Sequence, residues 1–164
     1  MSNYLFDKIE LKYNFQVVER RKFYTSAQPG KEFLSYLKDK YGIKTIINLR
    51  NKTKNFERNF AESQKIHLVH IPLIPLLKNP NQKKILSFLR VFRQKNELPV
   101  LMHCRQGKDR SGVMRALFHL YCQKWPSEKI FQEMNRKNVN LYWKIFTKVN
   151  WKKFKEIEYY ENLI

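Results

Sequence analysis

Hydrophobic residues in this chain follow two patterns that alternate along its length. Short apolar runs, many of them β-branched, predict strands at residues 15–18, 23–24, 43–49, 66–71 and 99–103. Between them, apolar residues spaced by three or four predict helices at 31–40, at 55–64 and onward from Arg110. This alternation favours an α/β fold, with a mainly parallel central sheet of four to five strands and helices on both faces. Ligands of such sheets bind beyond the carboxyl ends of the strands, so the loops at that edge are candidate sites.

Two helix ends carry signals of their own. Gly42 follows the helix at residues 31–40 and predicts its end, because glycine readily adopts the left-handed conformation found there. Asn79 and Pro80 predict the start of another helix, with Asn79 as its cap and Pro80 in its first turn. The apolar stripe of that helix consists of Ile85, Phe88, Leu89 and Phe92.

The charge of the chain favours a negatively charged partner. The 164 residues, which we expect to form a single domain over 1–164, include 33 Lys plus Arg and 14 Asp plus Glu, so the net charge is 33 − 14 = +19. Nucleic acid, an anionic membrane surface and a polyphosphorylated small molecule all fit this charge. A solvated basic surface that serves solubility alone is the other interpretation.

The C-terminal segment 136–164 is predicted to be helical, basic and aromatic. Residues 136–155 contain seven basic residues and no acidic one, and five large aromatics lie between them: Tyr142, Trp143, Phe146, Trp151 and Phe154. Such a segment can form a membrane-surface or nucleic-acid face. The interpretation we favour is one or two terminal helices whose aromatics pack on the core while the lysines face water.

Cysteine content and apolar run length indicate the compartment. Cys104 and Cys122 give no disulfide framework, which favours a reducing environment. The longest apolar runs are too short to cross a membrane, and residues 1–7 lack the pattern of a secretory signal. We therefore expect a cytoplasmic protein, although export without a signal remains open. His103, Cys104, His119 and Cys122 match no common zinc spacing, so no metal is expected.

The segment 100–112 has the order strand, loop, helix, and its loop reads Cys-x5-Arg from Cys104 to Arg110. Six successive backbone N–H groups curled around one point form a nest for a tetrahedral oxyanion, and the start of the helix adds its positive dipole end. Cys104 is predicted to stand there as a thiolate, the attacking form. Arg110 can hold two phosphate oxygens with its planar guanidinium. Chemistry of this kind needs no metal and no organic cofactor.

Other positions of the loop also have predicted roles. Gly107 permits a positive φ or a close backbone approach, and Gly112 lets the helix pack tightly on the sheet. Ser111 places a hydroxyl where it can donate to the sulfur when the thiolate leaves. His103 is predicted to hold the loop through hydrogen bonds to the backbone.

Basic residues follow several of the predicted strands. We expect the phosphate- and substrate-binding positions to include His103, Arg105, Gln106, Gly107, Lys108, Ser111, Arg50 and Lys78, with Lys52 and Lys54 nearby. Several separated cations suit an inositol polyphosphate or a phosphoinositide, whereas a phosphotyrosine site needs a deep aromatic slot for one phosphate. Each lysine taken alone is also compatible with an ordinary surface position.

The run His103-Cys104-x5-Arg110-Ser111 resembles the signature loop of the cysteine-dependent phosphatases, the tyrosine and dual-specificity phosphatase superfamily. Segments 23–29 and 46–50 resemble small atypical dual-specificity members, so the resemblance covers roughly residues 20–135. It implies a dual-specificity-phosphatase-like fold and a two-step reaction, in which Cys104 forms a phosphocysteine that water then hydrolyses. Lys108 is similar to the basic loop residue of phosphoinositide and inositol phosphatases.

The resemblance also implies a general acid, and here the sequence departs from the family. Members usually place an aspartate upstream of the cysteine, but residues 72–81 contain no acidic side chain, and the only aspartates are Asp7, Asp39 and Asp109. Asp109 is similar to the aspartate of myotubularin-like loops, which makes it the predicted acid. Alternatively, Asp109 orients Arg110, and a water or an unidentified Glu donates the proton.

Three functions remain after these observations. The favoured one is a phosphomonoester hydrolase acting on inositol phosphates or phosphoinositides, and the second is a protein tyrosine or dual-specificity phosphatase. The third is a non-catalytic phosphate- or RNA-binding module, but Cys104 and Arg110 argue against it because binding alone needs no thiolate. A polyanionic phosphorylated substrate is therefore the expected partner. An anionic membrane surface is a second candidate, while nucleic acid and an obligate protein partner are not expected.

Overall fold

Five short strands form one mainly parallel sheet in the computed structural model, which describes residues 8–74 and 80–157. The strands are β1 (Gln16–Glu19), β2 (Phe23–Ser26), β3 (Thr45–Asn48), β4 (His67–His70) and β5 (Val100–His103). They lie in the order β1-β2-β5-β3-β4. The β1 strand is antiparallel to β2, and the other neighbouring pairs are parallel. The predicted mainly parallel sheet is confirmed.

Helices connect the strands and extend beyond the last of them. Their bounds are α1 (Lys31–Tyr41), α2 (Asn55–Ser63), α3 (Gln82–Arg93), α4 (Asp109–Tyr121), α5 (Ser127–Arg136), α6 (Leu141–Val149) and α7 (Trp151–Glu156). Residues 8–12 are also helical, and a short 3-10 helix spans Lys95–Glu97. The helices predicted at 31–40 and 55–64 are confirmed, and each predicted C-terminal bound lies one residue from the observed one.

The helix-end signals gave one confirmed prediction and one that was wrong. Gly42 ends α1 with φ = 66°, in the left-handed region. Helix α3 begins at Gln82, so Pro80 does not lie in its first turn. The cap is Asn81, whose Oδ1 accepts a hydrogen bond from the backbone N–H of Lys84 at 3.0 Å. Pro80 therefore precedes the cap, and Asn79 lies outside the described residues.

The sheet separates two hydrophobic cores. Neighbouring residues of one strand point to opposite faces, so Ile46 and Leu101 belong to one core while Ile47 and Met102 belong to the other. Helix α1 covers the first core with Phe33 and other side chains, and α3 and α4 cover the second. Every residue of β3 and β5 is buried, as expected for parallel strands covered by helices, and the central residues of both strands are apolar.

The C-terminal helices α6 and α7 bury some aromatic side chains and expose other apolar ones. Trp143, Trp151 and Phe154 are buried in the second core, in agreement with terminal helices that pack on the core. However, α6 also exposes a set of large apolar side chains, namely Leu141, Tyr142, Ile145 and Val149. Within residues 8–74 and 80–157, no helix combines the length and the apolar character that a membrane span requires.

Candidate active site

The Cys-x5-Arg loop connects the central strand β5 to helix α4. The backbone N–H of Leu49, just after β3, donates to the carbonyl oxygen of His103 at 2.9 Å, which fixes the end of β5 beside its neighbour. Cys104 follows directly and is buried, and its Sγ accepts a hydrogen bond from the backbone N–H of Gly107 at 3.2 Å. The sulfur therefore already contacts one amide of the predicted anion nest.

Gly107 meets both requirements predicted for it. Its φ is +67°, and a Cβ there would lie 2.5 Å from the backbone N of Ala27 and 2.5 Å from the carbonyl carbon of Ser26. No larger residue fits without moving the end of β2. The side-chain amide of Asn14 donates to the carbonyl oxygens of Gln106 (3.0 Å) and Gly107 (3.3 Å). The backbone N–H of Gln28 donates to the carbonyl oxygen of Arg105 (3.3 Å). The segments beside β1 and β2 thus hold the loop.

The close neighbour of Gly112 is not the one predicted. A Cβ at this position would lie 2.5 Å from Cγ2 of Val139, in the segment between α5 and α6. The expectation that Gly112 allows α4 to approach the sheet is therefore wrong, since the close contact is with Val139. This glycine brings the start of α6 close to the catalytic loop.

Two cavities meet at the loop. The first, which we call the Cys104 cavity, measures about 160 Å³ and is lined by Cys104, Arg105, Gln106, Asp109, Arg110 and Trp143. The second, the Arg50 cavity, measures about 380 Å³ and is lined by Arg50, Asn51, Lys52, Arg105 and Arg110. Because Arg105 and Arg110 line both cavities, the strongly cationic Arg50 cavity adjoins the one that contains the nucleophile. Trp143 and Asn51 were not among the predicted site residues.

Asp109 lies in the Cys104 cavity, as predicted, but it has an additional contact. Its Oδ1 accepts a hydrogen bond from the backbone N–H of Asn140 at 2.7 Å, immediately before α6. No ion pair joins Asp109 to Arg110 in the described part of the chain. The described contacts therefore do not support the alternative in which Asp109 orients Arg110. Asp109 instead anchors the start of α6, the helix that carries Trp143.

Behind the loop lies a buried polar network that the sequence did not reveal. The fully buried carboxylate of Glu57, on α2, lies 2.7 Å through its Oε1 from Nε2 of His103. Glu57 also accepts hydrogen bonds from the side-chain amides of Asn48 (2.6 Å) and Gln28 (3.3 Å). Burial alone would raise the pKa of Glu57, but the contacts with His103, Asn48 and Gln28 outweigh it and lower that pKa. The carboxylate is therefore held ionised.

His103 lines neither cavity of the site. Its side chain is fully buried, and its described side-chain contact is with Glu57, not with the loop backbone. The predictions that His103 binds substrate and holds the loop by side-chain hydrogen bonds to the backbone are thus not what the structure shows. Its ring instead ties the end of β5 to α2.

The same network positions Arg50. The Nη1 of Arg50 donates to Oε1 of Gln28 at 2.7 Å, and the backbone N–H of Arg50 donates to Oδ1 of Asn48 at 2.7 Å. Asn48 and Gln28 lie in segments 46–50 and 23–29, which resemble small atypical dual-specificity phosphatases. Glu57 lies on an amphipathic helix with no motif around it, so only the packing of α2 identifies it.

The remaining predicted residues that the structure describes do not line the two cavities. Ser111 is fully buried, and its Oγ has no hydrogen-bond partner within the described residues, so its donation to the sulfur stays a prediction. Lys108 is half-buried just before α4 and lines neither cavity. Lys54 is exposed, with its Nζ 5.7 Å from the ring centre of Phe56. Lys78 lies outside the described residues.

The described residues of the site form neither a disulfide nor a metal-binding cluster. Cys104 and Cys122 are unbridged. Among the side chains that the structure describes, no three His, Cys, Asp or Glu residues are grouped to hold a metal ion. The candidate site thus consists of one thiol, one carboxylate and several cations.

Comparison with known proteins identifies the family of this chain. A family model described as DSP-PTPase phosphatase fused to NAD+ kinase matches residues 8–152. The chain belongs to this family. The match confirms the resemblance that the signature loop suggested.

Similar proteins extend this result. The tyrosine-protein phosphatase-like protein OCA2 of Saccharomyces cerevisiae is 30% identical over 112 residues, which cover 67% of this chain and 57% of OCA2. The dual specificity protein phosphatase TpbA of Pseudomonas aeruginosa is 27% identical over 114 residues, or 69% of this chain and 50% of TpbA. The chain thus spans about half the length of the curated relatives it matches.

A solved structure confirms the predicted dual-specificity-phosphatase-like fold. The core catalytic domain of the PP-IP phosphatase SIW14 from S. cerevisiae superposes with a TM-score of 0.71 at 23% sequence identity. The superposition covers 83% of this chain and 84% of that domain. The likeness therefore covers most of the chain, not the signature loop alone.

Proposed function

We propose that this chain hydrolyses phosphomonoesters of phosphorylated inositol, either free inositol phosphates or phosphoinositide lipids, through a phosphocysteine intermediate. In the first step the thiolate of Cys104 forms an S–P bond while the ester O–P bond breaks, and Asp109 gives a proton to the leaving oxygen. In the second step water attacks phosphorus, the S–P bond breaks, and the thiolate and inorganic phosphate are released. The proton lost by water returns to Asp109.

The contacts of the loop support these roles. Gly107 already donates its N–H to the Cys104 sulfur, so the backbone of the loop is turned inward toward the place where a phosphoryl group would sit. Arg110 lines both cavities and can follow the phosphoryl group through both steps. Asp109 lines the same cavity as Cys104, and only one of its oxygens is engaged in the contact with Asn140.

The observation that carries the substrate class is the charge of the Arg50 cavity. Arg50, Lys52, Arg105 and Arg110 line this space of about 380 Å³, directly beside the nucleophile. One phosphate needs only the loop and Arg110, so the other three cations are in excess for a monophosphate. A ring that carries several phosphates would place additional negative charge among them.

An exposed apolar surface beside the site favours the lipid form of this substrate. Helix α6 buries Trp143 in the Cys104 cavity and exposes Leu141, Ile145 and Val149 at intervals of four residues. The half-buried Lys144 and the exposed Lys148 lie on the same helix. Apolar side chains flanked by lysines can insert at the surface of an anionic bilayer, which would present a phosphoinositide headgroup to the neighbouring cavity.

Phosphotyrosine is the second candidate, and Trp143 is the observation that favours it. An aromatic side chain in the wall of the Cys104 cavity can pack against the ring of a phosphotyrosine. This contact would engage the cavity that contains the nucleophile but not the cations of the Arg50 cavity. The two candidates therefore depend on different residues.

The substrate class can be tested by comparing kcat/KM for inositol polyphosphates, phosphoinositide vesicles and phosphotyrosine peptides. We expect the inositol compounds to be the better substrates, with an advantage that shrinks as salt rises. Lys52→Ala should lower kcat/KM for them while leaving a monophosphate such as p-nitrophenyl phosphate nearly unaffected. Lys95→Ala is the matched control, because Lys95 is also exposed but lies before the amino end of β5.

Hydrolysis in vesicles distinguishes phosphoinositide lipids from free inositol phosphates as the substrate. If α6 binds the membrane, Ile145→Glu should slow hydrolysis in vesicles while preserving hydrolysis of soluble inositol phosphates. A phosphotyrosine peptide that outperforms every inositol compound, and that is insensitive to Lys52→Ala, would instead establish the second candidate.

A further inference from the structure

A third cavity, which we call the Arg115 cavity, lies between β1, α4 and α5 and measures about 90 Å³. It is lined by Gln16, Val17, Val18, Arg115, His119, Trp125, Glu133, Arg136 and Lys137. None of these residues lines the Cys104 cavity or the Arg50 cavity. The two steps proposed above assign no role to these residues.

The walls of the Arg115 cavity contain an unusual concentration of unpartnered polar atoms. Nη2 of Arg115, Nε2 of His119, Oε2 of Glu133 and Oε1 of Gln16 are all buried and lack a hydrogen-bond partner in the described part of the chain. The side chains of Arg115, His119 and Glu133 are each more than nine-tenths buried. Buried polar atoms without partners are costly, so several in one cavity indicate a polar occupant.

The cavity carries more positive than negative charge. Glu133 pairs with Arg115, with 3.4 Å between Oε1 and Nε, but Arg136 and Lys137 add two further cations. Burial lowers the pKa of Lys137, and the positive charges of Arg115 and Arg136 lower it further. The cations therefore repel one another in the absence of a second anion.

His119 contributes an acceptor rather than a fourth cation. Gln123 donates through Nε2 to a carboxylate oxygen of Glu19 at 3.0 Å, which fixes the orientation of its amide. Its Oε1 then faces Nδ1 of His119 at 2.6 Å, so the proton of the ring is on Nδ1. Burial lowers the pKa of His119, which keeps the ring neutral and leaves a lone pair on Nε2.

The occupant must therefore both accept and donate hydrogen bonds while carrying negative charge. Nη2 of Arg115 requires an acceptor, and Arg136 and Lys137 add positive charge beside it. Oε2 of Glu133, Nε2 of His119 and Oε1 of Gln16 require donors. We propose that the Arg115 cavity binds a protonated phosphate group, whose oxygens accept from Arg115 and Lys137 and whose P–OH donates to Glu133.

The size of the cavity agrees with this ligand. A water molecule needs roughly 10–15 Å³ of such space, so about 90 Å³ admits a single tetrahedral oxyanion. Sulfate has the same shape and charge density but no proton at neutral pH, so it would place a bare oxygen against the Glu133 carboxylate. The site is thereby expected to distinguish phosphate from sulfate.

The test uses calorimetric binding of potassium phosphate and potassium sulfate at equal ionic strength. All variants carry Arg110→Ala, which removes the anion grip of the catalytic loop. We expect this background to bind one phosphate, about tenfold or more tightly than sulfate. Adding Glu133→Gln should reduce this preference, because an amide can donate to sulfate.

A second variant covers the case in which Glu133→Gln does not fold. Adding Lys137→Ala, at the half-buried rim of the cavity, should weaken phosphate binding at least several-fold. Adding Lys153→Ala, an exposed lysine on α7, should leave it unchanged. Equal affinity for the two anions, or phosphate affinity unaffected by Lys137→Ala, would overturn the proposal and leave water as the occupant of the cavity. Because the Arg110→Ala background removes turnover, this result is independent of the substrate class proposed above.

Discussion

His103 and Glu57 form a buried contact directly behind the nucleophile, with 2.7 Å between Nε2 and Oε1 and no solvent exposure of either side chain. His103 is the last residue of β5, and Cys104 follows it. The carboxylate also accepts from Asn48 and Gln28, and Gln28 in turn accepts from Arg50. One buried carboxylate therefore links the strand that presents the thiol to an arginine of the substrate cavity.

Removing this carboxylate should destabilise the protein and disturb the site together. Glu57→Ala leaves His103 and Asn48 buried without their partner, and breaking such a contact typically costs about 3–5 kcal/mol. We expect a lower Tm and a lower kcat, because the backbone before Cys104 is no longer fixed. Thermal unfolding and steady-state kinetics measure the two effects.

The pH dependence of this effect follows from the lowered pKa of Glu57. Its stabilising contribution is fully present above the ordinary pKa of 4.5 and is lost as pH falls through the lower pKa of the folded state. The Tm difference between the natural protein and Glu57→Gln should therefore narrow as pH falls below about 4.5. Glu62→Gln, at an exposed position of the same helix, should show little difference at any pH. A Tm difference that stays constant in acid would contradict the ionised carboxylate.

Gly107→Ala should affect both stability and turnover. A left-handed conformation costs an alanine roughly 1 kcal/mol or more, and the added Cβ would also lie 2.5 Å from the backbone of Ser26 and Ala27. The loop must then shift, and small misplacements of a catalytic group can cost on the order of 100-fold in rate. We expect a strong loss of kcat on p-nitrophenyl phosphate.

Gly42→Ala is the matched control for this substitution. Gly42 has nearly the same conformation, with φ = +66°, but its Cβ would meet nothing within 4 Å. It should lower Tm through backbone strain alone while preserving kcat. If both variants kept full activity, a close approach at Gly107 would not be required for catalysis.

The sequence predicted the parts of this site that depend on local chain order. The strand–loop–helix segment around Cys104 follows from residues 100–112 alone, and so does the need for glycine at position 107. The contact between His103 and Glu57 could not be predicted, because it depends on how α2 packs beside β5, and the two residues are 46 positions apart in sequence. Glu57 on an amphipathic helix looks like any other surface carboxylate.

Two errors have similar physical causes. Asn79 and Asn81 are both suitable helix caps, and the choice between them depends on where the apolar stripe of α3 meets the core. Gly112 could serve any element that crosses α4, and only the fold shows that Val139 is the neighbour. In both cases the local preference was right in kind, and tertiary packing selected the position or the partner.

Cys104→Ser should abolish turnover while keeping the affinity for phosphate ligands within a few-fold. The hydroxyl is a poor nucleophile here, but the amide of Gly107 and the guanidinium of Arg110 remain to bind an anion. Arg110→Lys should also be severely impaired, since an ammonium cannot hold two oxygens in one plane. Burst kinetics on p-nitrophenyl phosphate and calorimetric binding of inorganic phosphate measure the two properties.

Cys122→Ser is the control for this experiment, and we expect it to keep its turnover. Cys122 lies at the C-terminal end of α4, where it is half-buried and distant in sequence from the loop. Normal turnover after Cys104→Ser would exclude the phosphocysteine mechanism. A natural protein that binds phosphate ligands but never turns them over would instead support a non-catalytic module.

The last prediction separates two roles of Asp109, as proton donor and as anchor of α6. Asparagine can still accept the N–H of Asn140 through its Oδ1, so Asp109→Asn preserves the anchor and removes the acid. Asp109→Ala removes both. We therefore expect only the alanine variant to lower Tm, and both variants to lose activity.

Leaving-group chemistry then identifies the acid. An inositol alkoxide is a poor leaving group that requires protonation, whereas nitrophenolate departs with little help. General acid catalysis contributes about 10²–10⁴-fold, so Asp109→Asn should cost far more on an inositol phosphate than on p-nitrophenyl phosphate. If the losses on the two substrates are equal and occur only with Asp109→Ala, then Asp109 acts by holding α6 and Trp143 against the cavity. In that case the proton comes from another donor, either a water or a glutamate outside the catalytic loop.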